Sequence, residues 1–217
     1  MVIIIVLILG GVGTLIYPHV SGWLFDRQTQ GQIADFQVGG RYLELKEAFR
    51  EYNEALALSG QGELSGKSAY SSFPVNPADY GVSEDMVGYI EIPSQDIRLG
   101  IYLGAGDENI ARGAGIMGYT SAPIGGMDTN AVVASHNVWR GDLRFKRINR
   151  LNPGDKVYIT NFWEKMTYSV VERRIIKPDD VASVLIRPGR DMVTLMTCDN
   201  YGPNGPDRCV VFCEREE

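Results

Sequence analysis

Imidazole and thiol are scarce in this 217-residue chain, which has two histidines, His19 and His136, and three cysteines, Cys198, Cys209 and Cys213. Three cysteines are too few for a disulfide framework, and an odd number leaves at least one thiol free. Basic runs are missing as well. A net charge of −6, a pI near 5.0 and no cationic patch or arm argue against nucleic acid as a partner. No glycine-rich phosphate loop follows any strand-like stretch. Two cysteines at strand spacing and one remote histidine lack the paired spacing of a structural zinc site. Neither a metal nor a cofactor is expected.

What the chain does have is apolar content. At 44% hydrophobic it can bury a full-sized core, as one domain with an appendage. The appendage starts at Val2–Tyr17, an uncharged run broken only by Gly10, Gly11, Gly13 and Thr14. A spanning helix needs about 20 apolar residues, with a lower limit of roughly 17. The run sits at that short edge. It lacks the basic n-region and the Ala-x-Ala site of a cleaved signal peptide. Tyr17 and Trp23 suit a membrane interface, and Pro18 ends the run. The expectation is an uncleaved membrane anchor with its juxtamembrane segment over residues 1–25.

Residues 26–85 form the next region. Ile33, Phe36, Tyr42, Leu45, Ala48, Phe49 and Tyr52 approximate a 3.6-residue period, interrupted at Gly39-Gly40. The spacing predicts two helices packed on the domain C-terminal to them. From Met86 the pattern changes to short strands: 88–93, 97–103, 130–136, 157–162, 166–176, 192–197 and 209–212. Pro123, Gly125-Gly126, Asn152-Pro-Gly-Asp155 and Pro188-Gly189 punctuate them. Seven or so short strands, with brief helical stretches near Asn109 and Leu143, predict a mainly β barrel or sandwich over residues 86–217.

Two strand ends carry the chemistry. Met192–Thr197 is an apolar strand that delivers Cys198 into a loop rich in Gly, Pro, Asn and Asp, and Arg208 opens the next strand. Ala131-Val-Val-Ala-Ser-His136 likewise ends on its histidine. Functional side chains commonly sit where a rigid strand yields to a loop. Taken alone, the first stretch fits a hairpin with a buried cysteine better than a catalytic site, and a lone histidine is more often structural than catalytic. Together, the residues allow a nucleophile–base pair of Cys198 and His136. Arg208 is too weak an acid to serve as a base, which leaves it an electrostatic role. Strand alternation turns Cys209 and Cys213 away from the face of Arg208. Four strand residues span about 13 Å, too far for those two to bridge each other.

With these residues placed, the chain resembles the sortases, cysteine transpeptidases of the outer surface of Gram-positive cells. Thr194-Leu-Met-Thr-Cys198 matches the family's Thr-Leu-x-Thr-Cys signature, and Arg208 stands where the family's arginine does. The likeness runs from about Met86 to Glu214. Gly88-Tyr-Ile-Glu-Ile-Pro93, Pro123-Ile-Gly-Gly126, Asn152-Pro-Gly-Asp155, Lys177-Pro-Asp-Asp180 and Cys198-x-x-Tyr-Gly-x-Asn204 look like class C, the pilin-polymerising sortases. The resemblance implies an eight-stranded β-barrel and a two-step reaction. Cys198 would cleave the Thr–Gly bond of a Leu-Pro-x-Thr-Gly-like sorting signal and form a thioacyl enzyme. An amine would then resolve it, either a pilin lysine or a peptidoglycan precursor. It implies His136 as general acid and base, Arg208 at the oxyanion, Thr197 as a substrate-contact or positioning residue, and Asn204 as a substrate-binding residue. It also places the catalytic domain on the cell-wall side of the plasma membrane. Class C enzymes carry a lid with Asp-Pro-aromatic over the cysteine. Asn76-Pro77-Ala78-Asp79-Tyr80 occupies the matching stretch (74–82), with Asp79 placed to pair with Arg208 and Tyr80 to cover Cys198. An ordinary polar linker fits that stretch equally well.

The chain departs from the family pattern at the histidine, where Gly-His-Arg-Gly becomes Ser135-His136-Asn137. Arg208 follows ten residues after Cys198, one more than the class C pattern, and Asp207 replaces a histidine before it. Other readings are the same chemistry anchoring surface proteins to peptidoglycan precursor, a secreted cysteine peptidase, and a non-catalytic surface β-domain with an inert Cys198.

Overall fold

The computed structural model describes residues 11, 13, 14, 16, 17, 20, 27–65, 71–137, 144–202 and 205–216. Most of the expected anchor, together with Trp139–Gly141 and Asn204, lies outside the described residues. Among the described residues no helix is long and apolar enough to cross a membrane.

Residues 27–35 are helical, and the chain breaks at Gly39-Gly40 before helix α1 (Leu43–Ser59). Phe36 stacks on Phe162 at 5.1 Å, and the Gly39 N–H donates to the Phe162 carbonyl. The two-helix expectation therefore holds, divided at those glycines. α1 turns Leu45, Phe49, Asn53 and Leu56 inward at helical spacing and ends at Gly60, whose φ of 70° suits a residue without Cβ.

Eight strands make up the rest of the framework: β1 (Met86–Ile92), β2 (Ile97–Leu103), β3 (Ala114–Ile116), β4 (Thr129–Ala134), β5 (Lys156–Asn161), β6 (Lys165–Ile176), β7 (Asp191–Gly202) and β8 (Gly205–Arg215). A short helix, α2 (Asp107–Arg112), lies between β2 and β3. The strands close into a barrel in the order β1-β2-β3-β4-β7-β8-β6-β5. Sequence reading missed β3 because three residues are too few to show a period. It also expected an open loop after Cys198. Instead β7 and β8 extend the hairpin, with Tyr201 paired to Pro206 and Gly202 to Gly205 beyond an irregularity at Cys198–Tyr201.

Alternation sorts the strand residues into two packed sets. Ala131, Val133, Val193, Leu195, Cys209, Val211 and Cys213 join the cluster that fills the barrel and that α1 seals with Leu45 and Phe49. Val132, Met192, Met196, Val210 and Phe212 point outward and form a second cluster beneath Leu64 and Val184. The β4–β7–β8 wall is therefore buried on both faces. This is why β4 and β7 read as continuous apolar runs rather than alternating ones.

Candidate active site

Most neighbouring strands in the barrel are antiparallel, but β4 and β7 run parallel, in register from Thr129–Asp191 to Ala134–Met196. Both therefore finish at the same end of the barrel. The alignment continues past the last pair, because the Ser135 N–H donates to the Met196 carbonyl (3.1 Å) and the Thr197 hydroxyl to the Ser135 carbonyl (2.9 Å). His136 and Cys198 come next on adjacent chains, and paired strands lie about 4.8 Å apart. On the other side Cys198 is the direct register partner of Arg208 across the antiparallel β7–β8 pair. By alternation His136 follows Val132 and Ala134, Cys198 follows Met192 and Met196, and Arg208 shares its face with Val210 and Phe212. All three candidate residues thus emerge on the outer face at one end, and each is half-buried. The guanidinium of Arg208 donates to the Pro206 carbonyl at 2.6 Å.

The other two cysteines sit in the barrel interior. Cys209 is 1% and Cys213 0% exposed. Burial pushes the Cys209 thiol up to about 11, with Asp199 adding to the shift, and raises Cys213 further by burial alone. A thiol held protonated is a poor nucleophile. Cys198 is the half-buried one of the three.

The imidazole of His136 is held below its ordinary range, first by burial. The Asp107 carboxylate opposes that shift and the Arg144 guanidinium adds to it. Both groups arrive through α2. Its last carbonyls, Ala111 and Arg112, accept from Arg144, which is 3% exposed. Ser135, the residue before His136, donates its hydroxyl to the Gly113 carbonyl at 2.6 Å. α2 is thereby fastened to the strand end that bears the histidine. Sequence reading missed Asp107, Arg144 and also Asn137, whose side-chain amide donates to the Cys198 carbonyl at 2.9 Å. Asn137 is the one of the three with a visible signal, since it stands where the resembled family has arginine.

Thr197 is buried, at 4% exposure, with its hydroxyl committed to Ser135. That places it behind Cys198, holding the two strands together. Asp207, which replaces the family's histidine, is ion-paired to Lys177 at 2.9 Å.

The 74–82 stretch differs from the expected lid. Pro77–Tyr80 is a single 3-10 turn. It is capped by Asn76, which accepts from the Ala78 N–H, and ended by Gly81 at φ 76°. Asp79 accepts from the Asn76 amide (3.3 Å) and does not pair with Arg208. Tyr80 packs against the barrel-filling cluster. The turn walls a groove of about 430 Å³ with Tyr102 and Leu103 of β2 and Glu108, Asn109 and Arg112 of α2.

Residues 90–216 match the family described as Sortase domain. The chain belongs to the sortase family. Sortases are cysteine transpeptidases, and in this member the Cys198–Arg208 register and the parallel β4–β7 alignment bring Cys198, His136 and Arg208 to one rim of the barrel. Among curated proteins it is similar to Sortase A of Streptococcus agalactiae serotype III, 28% identical over 171 residues that cover 77% of this chain and 63% of that one. It also resembles Sortase A of Staphylococcus aureus, 26% identical over 200 residues, 91% of this chain and 84% of that one. The chain thus spans less than two thirds of the length of the Streptococcus agalactiae relative. Solved structures similar to it include Sortase C1 of GBS Pilus Island 1, with TM-score 0.73, 28% identity, and coverage of 87% of this chain and 95% of that chain. Sortase C-1 of Streptococcus pneumoniae is 32% identical with TM-score 0.66, covering 86% and 98%.

Proposed function

We propose that this chain is a pilus-assembly sortase, which cleaves a Leu-Pro-x-Thr-Gly-like sorting signal through a Cys198 thioacyl intermediate and transfers the acyl group to a pilin lysine. The observation that carries the reading is the register that sets Cys198 opposite Arg208 while parallel pairing ends β4 beside it. The Cys198 thiolate attacks the threonine carbonyl carbon, and the carbonyl electrons move onto oxygen, where the Arg208 guanidinium receives the charge. Collapse breaks the C–N bond. The glycine amine leaves with a proton from His136, and a thioester remains. An incoming amine attacks the thioester, gives its proton to His136 and expels the Cys198 sulfur, forming a new amide. The similarity to structures described as pilus sortases supports the pilin lysine as acceptor. The curated relatives, named Sortase A, favour a second reading in which the amine belongs to a peptidoglycan precursor.

In the same reading residues 1–25 anchor the enzyme in the plasma membrane with the barrel on the cell-wall side. The exposed apolar residues Ile16, Tyr17 and Val20 support this. Asn204 remains a candidate substrate contact in the β7–β8 connection. The deciding experiment incubates the enzyme with candidate pilins and looks for a covalent ladder on a denaturing gel. Cys198→Ala should abolish the ladder, and His136→Ala and Arg208→Ala should each reduce it severely. Full-rate thioacyl formation by Arg208→Ala would refute the oxyanion role. A ladder that fails to form with pilins while a small peptidoglycan-like amine is accepted would favour the second reading.

A further inference from the structure

At Cys198 the strand pairing becomes one-sided. On the β8 side Cys198 is still the register partner of Arg208, with the irregularity following it, whereas on the β4 side the register ends at Ala134–Met196 and only the Ser135 links to Met196 and Thr197 continue it. On that side the Asn137 side chain provides the contact to the nucleophile's main chain, with its Nδ2 donating to the Cys198 carbonyl oxygen at 2.9 Å across 61 residues of sequence. The neighbouring residue is tied as well, since the His136 carbonyl accepts from the Phe145 N–H at 2.9 Å. His136 and Asn137 are thus both tied at the strand end, and one backbone step separates the imidazole from the amide that grips the nucleophile.

We propose that Asn137 is a positioning residue of the transpeptidation site: it joins the histidine-bearing loop to the main chain of Cys198 and so sets the separation of imidazole and sulfur. The inference rests on the proposed function, in which His136 and Cys198 exchange a proton during both half-reactions. It extends that reading to a residue outside the family signature. A side chain that holds geometry is read through kcat rather than KM, because the proton transfer is sensitive to a displacement that substrate binding barely registers. A misplacement of about 1 Å between reacting groups costs on the order of 100-fold. Asn137→Ala is therefore expected to lower kcat by roughly 10- to 100-fold, with KM changed by less than about threefold.

Asn137→Asp separates positioning from folding. The carboxylate is isosteric but cannot donate to a carbonyl, so kcat should fall at least as far as in the alanine variant. Its charge beside His136 stabilises the imidazolium and should move the alkaline limb of the pH–rate profile upward. The test uses the full chain in detergent, a fluorogenic Leu-Pro-x-Thr-Gly peptide with an amine acceptor, a pH series for each variant, thermal melting, and a Cys198→Ala control. Reduced kcat in both variants at preserved melting temperature and KM, with the limb displaced only in the aspartate variant, supports the assignment. Wild-type kcat in Asn137→Asp overturns it, as does a loss in Asn137→Ala that only tracks lowered melting. Should Cys198→Ala itself remain active, the proposed function fails whatever Asn137 does. With Cys198 essential and Asn137 dispensable, only this inference fails.

Discussion

Native-state alkylation should read one cysteine out of three. The perturbation is a short exposure of the folded protein to iodoacetamide at pH 8, with the modified peptides counted by mass spectrometry. The expected selectivity comes from the two buried thiols. Cys209, pushed up to about 11 by burial, is thiolate in about one molecule in a thousand at that pH, whereas a thiol of ordinary acidity near 8.5 is about one quarter ionised. Ionisation alone thus disfavours Cys209 by roughly two hundredfold against an ordinary thiol. Its 1% exposure slows the reagent further, because access requires local opening of the β7–β8 hairpin. Cys213, fully buried with only the barrel around it, should react more slowly still. Essentially all early label should therefore sit on Cys198, and Cys198→Ser should stay unlabelled until denaturant is added. Early label on Cys209 in the folded protein, at a rate near that of Cys198, would refute the placement of Cys209 inside the barrel.

Three further expectations concern stability and the histidine. Asn53 of α1 both donates to the Ala122 carbonyl and accepts from the Ala122 N–H. Asn53→Ala strands two buried backbone groups and should cost about 2–4 kcal/mol, read as a lowered urea midpoint. In β1, a Cβ at Gly88 would meet the Thr160 carbonyl oxygen of β5 at 2.3 Å, so Gly88→Ala should destabilise by about 1–3 kcal/mol or more through a forced shift of the β1–β5 pair. For His136, the sign runs from a folded-state value lowered by burial. The neutral imidazole is preferred in the fold, so its contribution to stability is present above about pH 6.5 and is lost as pH falls through the lower folded-state value. Asp107 opposes that shift, and Asp107→Asn should lower the His136 midpoint further in an NMR titration. An upward move would contradict the assignment of Asp107 as the facing carboxylate.

The candidate site was legible in the sequence to the extent that it depends on local pattern. Cys198 and His136 announce themselves because each ends an apolar run, and there is no other histidine near a strand end. Alternation alone predicted that Cys209 and Cys213 turn away from Arg208, and both lie in the barrel. Between lid and linker the sequence left 74–82 open, because Asn76-Pro77-Ala78-Asp79-Tyr80 carries lid-like residue types but closes on itself through the Asn76 cap, with Asp79 bonded to Asn76 rather than Arg208. Where such a turn docks is decided by contacts distant in sequence. β3 was missed for want of length, and Arg144 was passed over because a charged residue in a polar stretch reads as exposed. Among its partners are the carbonyls of Ala111 and Arg112, which lie far off in sequence.

By itself, then, the sequence determined which groups are the candidates for the chemistry: one thiol at a strand end, one imidazole, one guanidinium, and a barrel's supply of short strands. Those depend on side-chain identity and a two-residue period, both local properties. Only the tertiary structure decided that β4 and β7 run parallel and in register, so that His136 and Cys198 finish on the same rim with Arg208 facing Cys198. It also decided that an asparagine 61 residues away holds the Cys198 carbonyl. Strand pairing is a choice among distant partners, made by the closure of the barrel and the burial of both faces of its β4–β7–β8 wall, and no local pattern encodes it.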